Sequence, residues 1–120
     1  MKKADAYVIV SAEYNHGIPP ALKNTIDHFY NEYFFKPSLI VTYSAGPFGG
    51  IRAAMQWRSI LAEVGMPAIP SMFPISNIRD FSKNGTPKDE RYIERIKKPL
   101  NQLEWYANAL KIARKKGIPS

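Results

Sequence analysis

Cysteine is absent from the 120-residue sequence. Disulfides, thiolate nucleophiles and thiolate metal sites are therefore excluded. Histidine is scarce: only His16 and His28 occur. Neither has further ligands at metal-binding spacing, so no metal site is expected. Long hydrophobic runs are missing too, since nothing approaches the ~18 apolar residues that suggest a membrane span. The opening Met1-Lys2-Lys3-Ala4-Asp5 leads into a short apolar stretch without a small-residue cleavage site, unlike a secretory signal. These absences predict a soluble, cytoplasmic protein. Acidic residues are the minority charge, 10 Asp and Glu against 17 Lys and Arg, for a net charge of +7. Such an excess favours anionic partners or simply serves solubility. No nucleic-acid fold or interleaved stacking pattern accompanies the basic C-terminal tail, so nucleic acid is not an expected partner. The length fits one domain over residues 1–120.

Three segments read as strands. Ala6-Tyr7-Val8-Ile9-Val10 and Ser38-Leu39-Ile40-Val41-Thr42-Tyr43 are nearly continuous apolar runs rich in β-branched and aromatic residues. Such runs suit strands buried on both faces of a parallel sheet. A third strand is expected from Ala68 to Phe73, and Pro70 inside it predicts an edge position.

Helical patterns separate them. Pro19-Pro20 precedes a helix carrying Leu22, Ile26, Phe29 and Tyr33, the prolines suiting its first turn. Its end is the aromatic run Phe29, Tyr30, Tyr33, Phe34 and Phe35, which reads as core or as a subunit interface. Gly50 opens a second helix and Gly65 closes it. Ile51, Met55, Leu61 and Ala62 form one stripe of it, and Ala53, Trp57, Ile60 and Val64 another, predicting burial on two sides. After a loop from Phe81 to Pro87, Ile93, Ile96, Leu100, Leu103, Ala107 and Leu110 mark a long amphipathic helix ending at Gly117. Pro99 either kinks it or starts its main part. The order β-α-β-α-β-α predicts a parallel α/β sheet with helices on both faces, its strands in chain order.

In such sheets ligands bind beyond the carboxyl ends of the strands. Two loops lie there: Ser11-Ala12-Glu13-Tyr14-Asn15-His16-Gly17 and Ser44-Ala45-Gly46-Pro47-Phe48-Gly49-Gly50. The glycines of the second serve either a plain strand-to-helix turn or close approach of backbone to a ligand. Amides near Gly50 and Ile51 are candidate donors to an anion or a polar ring edge. Glu13 has no second carboxylate beside it and reads as structural rather than as a general acid. Asn15 reads as a ligand contact or as a partner of its own turn. No catalytic residue is singled out.

The stretch Glu13-Tyr14-Asn15-His16-Gly17-Ile18-Pro19-Pro20-Ala21-Leu22-Lys23-Asn24-Thr25-Ile26-Asp27 resembles the E-Y-N…P…L-K-N-x-I-D segment of the NADPH-dependent FMN reductase family. These are flavodoxin-like reductases of free flavins, quinones and azo dyes. Ser44, Gly46, Gly49 and Gly50 match the family's S-x-G-x-x-G-G turn, and Arg52-Ala53-Ala54 with Arg58 continue the likeness. It runs from about Ala4 to Val64. Ala12 stands where the family carries proline.

The resemblance implies FMN as cofactor, NADPH or NADH as reductant, and a small-molecule electron acceptor. It places Glu13, Tyr14 and Asn15 against the isoalloxazine, and the amides of Ser44, Gly46, Gly49 and Gly50 on its pyrimidine side. It also implies a homo-oligomer, since relatives dimerise through these helices. Full-length relatives begin with a strand, a phosphate-holding loop, a helix and a second strand. The likeness starts at what would be the third strand. The expectation is thus a partial flavodoxin-like domain, truncated to the last three strands and their helices, with Ala6–Val10 as an edge. Flavin binding should be weakened, with FMN preferred over riboflavin by less than about tenfold. The alternatives are a non-catalytic oligomeric fragment that has lost its cofactor, or an activity that resides in a longer chain.

Overall fold

Leu39, Ile40 and Val41 are all buried, and a strand sends successive side chains to opposite faces. A strand of this kind is covered on both sides. A computed structural model describes residues 1–81 and 84–119; Ser82 and Lys83, in the expected loop, lie outside them. Its elements are β1 (Tyr7–Ala12), α1 (Pro20–Asp27), β2 (Ser38–Tyr43), α2 (Ile51–Glu63), β3 (Ala68–Ile75) and α3 (Arg91–Lys115), with a 3-10 turn at Ile78–Asp80 before α3. The sheet has the order β1-β2-β3. Both pairings are parallel, from Tyr7↔Ser38 to Ala12↔Tyr43 and from Ser38↔Ala68 to Tyr43↔Ile75. The α/β order read from the sequence is the order observed.

Two cores flank the sheet. On one face Ile9 and Ile40 meet Ile26, Tyr33, Ala54, Trp57, Leu61 and Met66. On the other, Leu39, Val41, Ile69 and Phe73 meet Leu103 of α3. Helix α3 runs straight through the sequence position of Pro99, which is buried within it. Its basic end is tied down: Asp5 accepts from Lys111 Nζ at 2.6 Å and Arg114 Nη2 at 2.9 Å, and Arg114 Nη1 reaches the Phe35 carbonyl at 2.7 Å. The hydrogen bond from Lys111 leads the effects that hold the Asp5 carboxyl below its usual range.

Three expectations need correction. First, β1 is not buried on both faces. Ile9 and Ser11 are covered, but Val8 is 44% and Val10 56% exposed. Leu103 of α3 packs over β2 and β3, which leaves the second face of β1 open. Second, α1 ends at Asp27, so the aromatic run lies in turns. Side chains take the carbonyls that another helical turn would use: the Tyr33 hydroxyl donates to Ile26 O at 3.1 Å, and the His28 ring sits 2.7 Å from Asn24 O. Tyr33 is core, with an edge-on contact to Tyr7 at 5.5 Å, whereas Tyr30 is exposed. Third, α2 buries one stripe, not two. Ala53, Ala54, Trp57 and Leu61 are inside, while Met55 and Ala62 face out.

Strand β3 is the other edge, and its proline has a visible effect. Between the pairs Ser38↔Ala68 and Ile40↔Met72, β3 advances four residues while β2 advances two. Pro70 lies in this irregularity, where its missing N–H costs no ladder bond. Its carbonyl accepts from Arg58 Nη2 at 2.7 Å.

Candidate functional site

Beyond β1 the chain makes a tight turn. Tyr14 N donates to Gly17 O and Gly17 N to Tyr14 O, both at 2.9 Å. The two residues between, Asn15 and His16, have φ of 48° and 66°. Positive φ at both central positions is the type I′ pattern, which asparagine tolerates better than most residues. The turn presents Tyr14, 61% exposed, with no protein partner for its hydroxyl among the described residues. Asn15 is exposed beside it, and its side chain makes no hydrogen bond to its own turn.

Glu13 faces inward. Its side chain is only 10% exposed. Its Oε2 accepts from the amides of Arg52 at 2.9 Å and Ala53 at 3.1 Å. These are orphan donors of the first turn of α2, whose positive dipole end favours a carboxylate. Arg52 Nη1 stands 3.6 Å from Oε1. The sequence suggests an open anion site at the start of α2; instead, the protein's own carboxylate fills its first turn. The Ile51 amide is also engaged, with Phe48 O at 3.3 Å.

The second loop climbs over the sheet. Ser44 N donates to Ile75 O, Ile78 N to Ser44 O and Asn77 N to Gly46 O, so the segment after β3 braces it. The Ser44 hydroxyl turns back onto Gly46 O at 3.1 Å. Thr42 Oγ1 donates to Gly49 O at 2.7 Å. Gly49 and Gly50 have φ of 60° and 75°. A Cβ on Gly49 would stand 2.9 Å from Pro74 Cβ and 3.0 Å from Ile75 N, and one on Gly50 would stand 3.0 Å from Thr42 Cβ. Their missing side chains let the loop close on β2 and β3. A Cβ on Gly46 would meet nothing within 4 Å. Among the described residues, the amides of Ala45, Gly46, Phe48, Gly49 and Gly50 have no protein acceptor. Backbone donors in a folded protein normally find one, or a ligand or water in its place. Phe48 stands exposed at the loop's crest, with the Arg52 guanidinium 5.0 Å from its ring centre.

Glu13 thus ties the first loop, with Tyr14 and Asn15, to the first turn of α2, the helix that leads out of the second loop with Ser44, Gly46, Gly49 and Gly50. Two further residues tie the first loop to α2 and escape sequence reading. Gln56 donates to His16 O at 3.0 Å and accepts from Ile18 N at 3.3 Å. Trp57 Nε1 donates to the buried Ser11 Oγ at 2.8 Å. Both partners lie about forty residues upstream. The only local signal was a lone polar residue beside a core tryptophan. Among the described residues no group of three His, Cys, Asp or Glu is arranged to hold a metal ion.

Comparisons with known proteins bear on this assembly. Residues 1–80 match the family described as NADPH-dependent FMN reductase. An NAD(P)H-dependent FMN reductase of Schizosaccharomyces pombe is 40% identical over 77 residues, 64% of this chain and 38% of that protein. An NADPH azoreductase of Bacillus sp. strain OY1-2 is 32% identical over 79 residues, 65% of this chain and 44% of that one. The quinone reductase of Escherichia coli K12 is 42% identical over 65 residues, 51% and 35% of the two chains. This chain therefore spans less than half the length of each of these relatives. The fold matches that of FerB, a flavoenzyme NAD(P)H:(acceptor) oxidoreductase from Paracoccus denitrificans, with a TM-score of 0.67 at 22% identity. That match covers 92% of this chain and 63% of the other.

Proposed function

Because the chain belongs to the NADPH-dependent FMN reductase family, we propose that it binds the ring of FMN between its two loops and serves electron transfer from NADPH or NADH to a small-molecule acceptor such as a flavin, a quinone or an azo dye. The observation that carries this reading is the row of acceptor-free amides from Ala45 to Gly50, tied through Glu13 to the turn that presents Tyr14. A flavin offers a polar ring edge that accepts hydrogen bonds and a flat face that stacks on an aromatic side chain. The residues present fit both. When bound, the flavin supplies the hydride chemistry. The chain's part is to hold the ring: amides of the second loop donate to its polar edge, Tyr14 covers its face and Asn15 offers a neighbouring amide. Ser44, with its hydroxyl turned onto Gly46 O, shapes the loop.

The first turn of α2 does not fit a phosphate. The first amides of α2 are taken by Glu13, and the Arg52 guanidinium lies between Glu13 and Phe48. The 120-residue chain is therefore expected to bind FMN and riboflavin within about tenfold of each other, a gap of at most about 1.4 kcal/mol. Tyr14→Ala should weaken both by about two- to tenfold, the scale of one lost stacking contact. Trp57 and Trp105 fluorescence during titration with each flavin measures this. A hundredfold preference for FMN would mean that a phosphate site exists elsewhere on the protein. Unchanged affinity in Tyr14→Ala would remove these loops as the ring site.

The reading extends to assembly and location. The outer edge of β1 is unpaired, Val8 and Val10 are exposed on its open face, and Tyr30 and Met55 are exposed elsewhere. Unpaired apolar edges recruit other chains. Light scattering at micromolar concentration should give at least twice the 13.6 kDa of one chain; a mass of one chain would contradict self-association. Among the described residues no helix is long and apolar enough to cross a membrane. A pool of NAD(P)H as reductant fits the cytoplasm.

A further inference from the structure

We propose that Gln56 is the positioning residue that fixes the turn presenting Tyr14, an inference that rests on the flavin-ring reading above. The turn has few restraints of its own. Its backbone bonds are the reciprocal pair between Tyr14 and Gly17. Asn15 and His16 both sit in the left-handed region that the type I′ turn requires, a region uncommon for residues with a Cβ though less so for asparagine and histidine. One side chain of α2 braces the far end of this turn. Gln56 Nε2 donates to His16 O at 3.0 Å, and Gln56 Oε1 accepts from Ile18 N at 3.3 Å. Among the described residues, neither backbone group has another partner.

The chemistry explains why glutamine stands there. A carboxamide is a neutral side chain that donates through one atom and accepts through its neighbour. It can close on a carbonyl and an amide two residues apart in one chain. A carboxylate accepts only, and would face the His16 carbonyl with repulsion. The helix supplying Gln56 also supplies the amides that hold Glu13. Both ends of the Tyr14 turn are therefore referred to one rigid element, and that element leads out of the second loop. Gln56 touches no part of the ring site itself, so its effect passes through the position of Tyr14.

Gln56→Ala, Gln56→Glu and the control Glu63→Gln on the last turn of α2 test this. Amide hydrogen exchange reads the clamp directly. Exchange at Ile18 should quicken by about tenfold in Gln56→Ala, the factor for one lost hydrogen bond, while amides of β2 and the thermal midpoint stay as in the parent. Flavin titration reads the consequence. Riboflavin affinity should fall by about three- to tenfold in Gln56→Ala, the range set by losing a well-placed stacking contact, and the fluorescence of bound flavin at saturation should rise as Tyr14 leaves it. Gln56→Glu should keep Ile18 protected yet still lose affinity, because the donor to His16 is gone. Glu63→Gln should match the parent throughout. Unchanged exchange at Ile18 in Gln56→Ala overturns the clamp. Faster exchange with unchanged flavin affinity and unchanged saturating fluorescence overturns the positioning role. A parent that binds no flavin sinks the ring-site reading and the positioning role with it, and the exchange data then decide the clamp alone.

Discussion

Gly49→Val is expected to cost about 3–5 kcal/mol of folding stability, most of what a domain of this size has to lose. Two effects add. The backbone at φ 60° is strained for any residue with a Cβ and worst for a β-branched one. The new carbon would also lie 2.9 Å from Pro74 Cβ and 3.0 Å from the Ile75 nitrogen. These belong to β3, so the loop or the strand must shift, and overpacking of this kind costs about 1–3 kcal/mol. Urea unfolding followed through the buried Trp57 gives the number. Gly46→Val is the matched control. That site has open space within 4 Å and no left-handed backbone, so a change under about 1 kcal/mol is expected. Equal effects at the two glycines would mean that the second loop is not seated on the sheet as described. The result separates two jobs: Gly49 seats the loop, and the proposed ring contacts fall to the acceptor-free amides around it.

Glu13→Ala should cost about 2–3 kcal/mol. The substitution removes a carboxylate from two amides of the first turn of α2, and hydrogen bonds to charged groups are worth about 1.5–3 kcal/mol net. Interaction with the helix dipole adds roughly 0.3–1 kcal/mol. The approach of Arg52 contributes little, since its side chain is 41% exposed and the pair is 3.6 Å apart. Glu13→Gln keeps one acceptor oxygen and should lie between. Thermal unfolding measures the cost. If the affinities for FMN and riboflavin fall together in Glu13→Ala, the residue acts by joining the loops. An unchanged melting temperature would show that the Glu13 bonds to α2 do not hold in solution.

The parts of the fold that were readable from sequence are those set by nearby residues. Leu39, Ile40 and Val41 follow one another in β2 because both its faces are covered. The glycines at 50 and 65 mark the ends of α2, since the first caps it in the left-handed region and the second follows it at φ 71°. The parallel order follows from alternating elements. The misread parts depend on distant partners. β1 carries the same apolar signature as β2, and only the placement of α3 decides that Val8 and Val10 stay uncovered. Helix α1 stops short of Tyr33, whose hydroxyl reaches back to the Ile26 carbonyl, and the helical spacing of Ile26 and Tyr33 in the sequence gives no sign of that side-chain bond. In the candidate site, Tyr14, Asn15 and the glycine loop stood out through local motif. The inward turn of Glu13 did not, because its partners are Arg52 and Ala53 on another element. The stripe of α2 that carries Met55 was real as a pattern, yet among the described residues nothing covers Met55.

The parallel order has a consequence for how the molecule comes into being. Each strand finds its neighbour across a crossover, and Tyr7 pairs with Ser38, 31 residues further on. Among the described residues no two strands of the sheet are joined by a hairpin. At roughly 5–20 residues per second, synthesis puts about 1.5–6 s between Tyr7 and its partner Ser38. During that interval Val8, Ile9 and Val10 lack the β2 ladder. A strand that stays partly bare in the finished fold is thus also one that must wait for a neighbour made later, which exposes its apolar residues to other chains in the meantime.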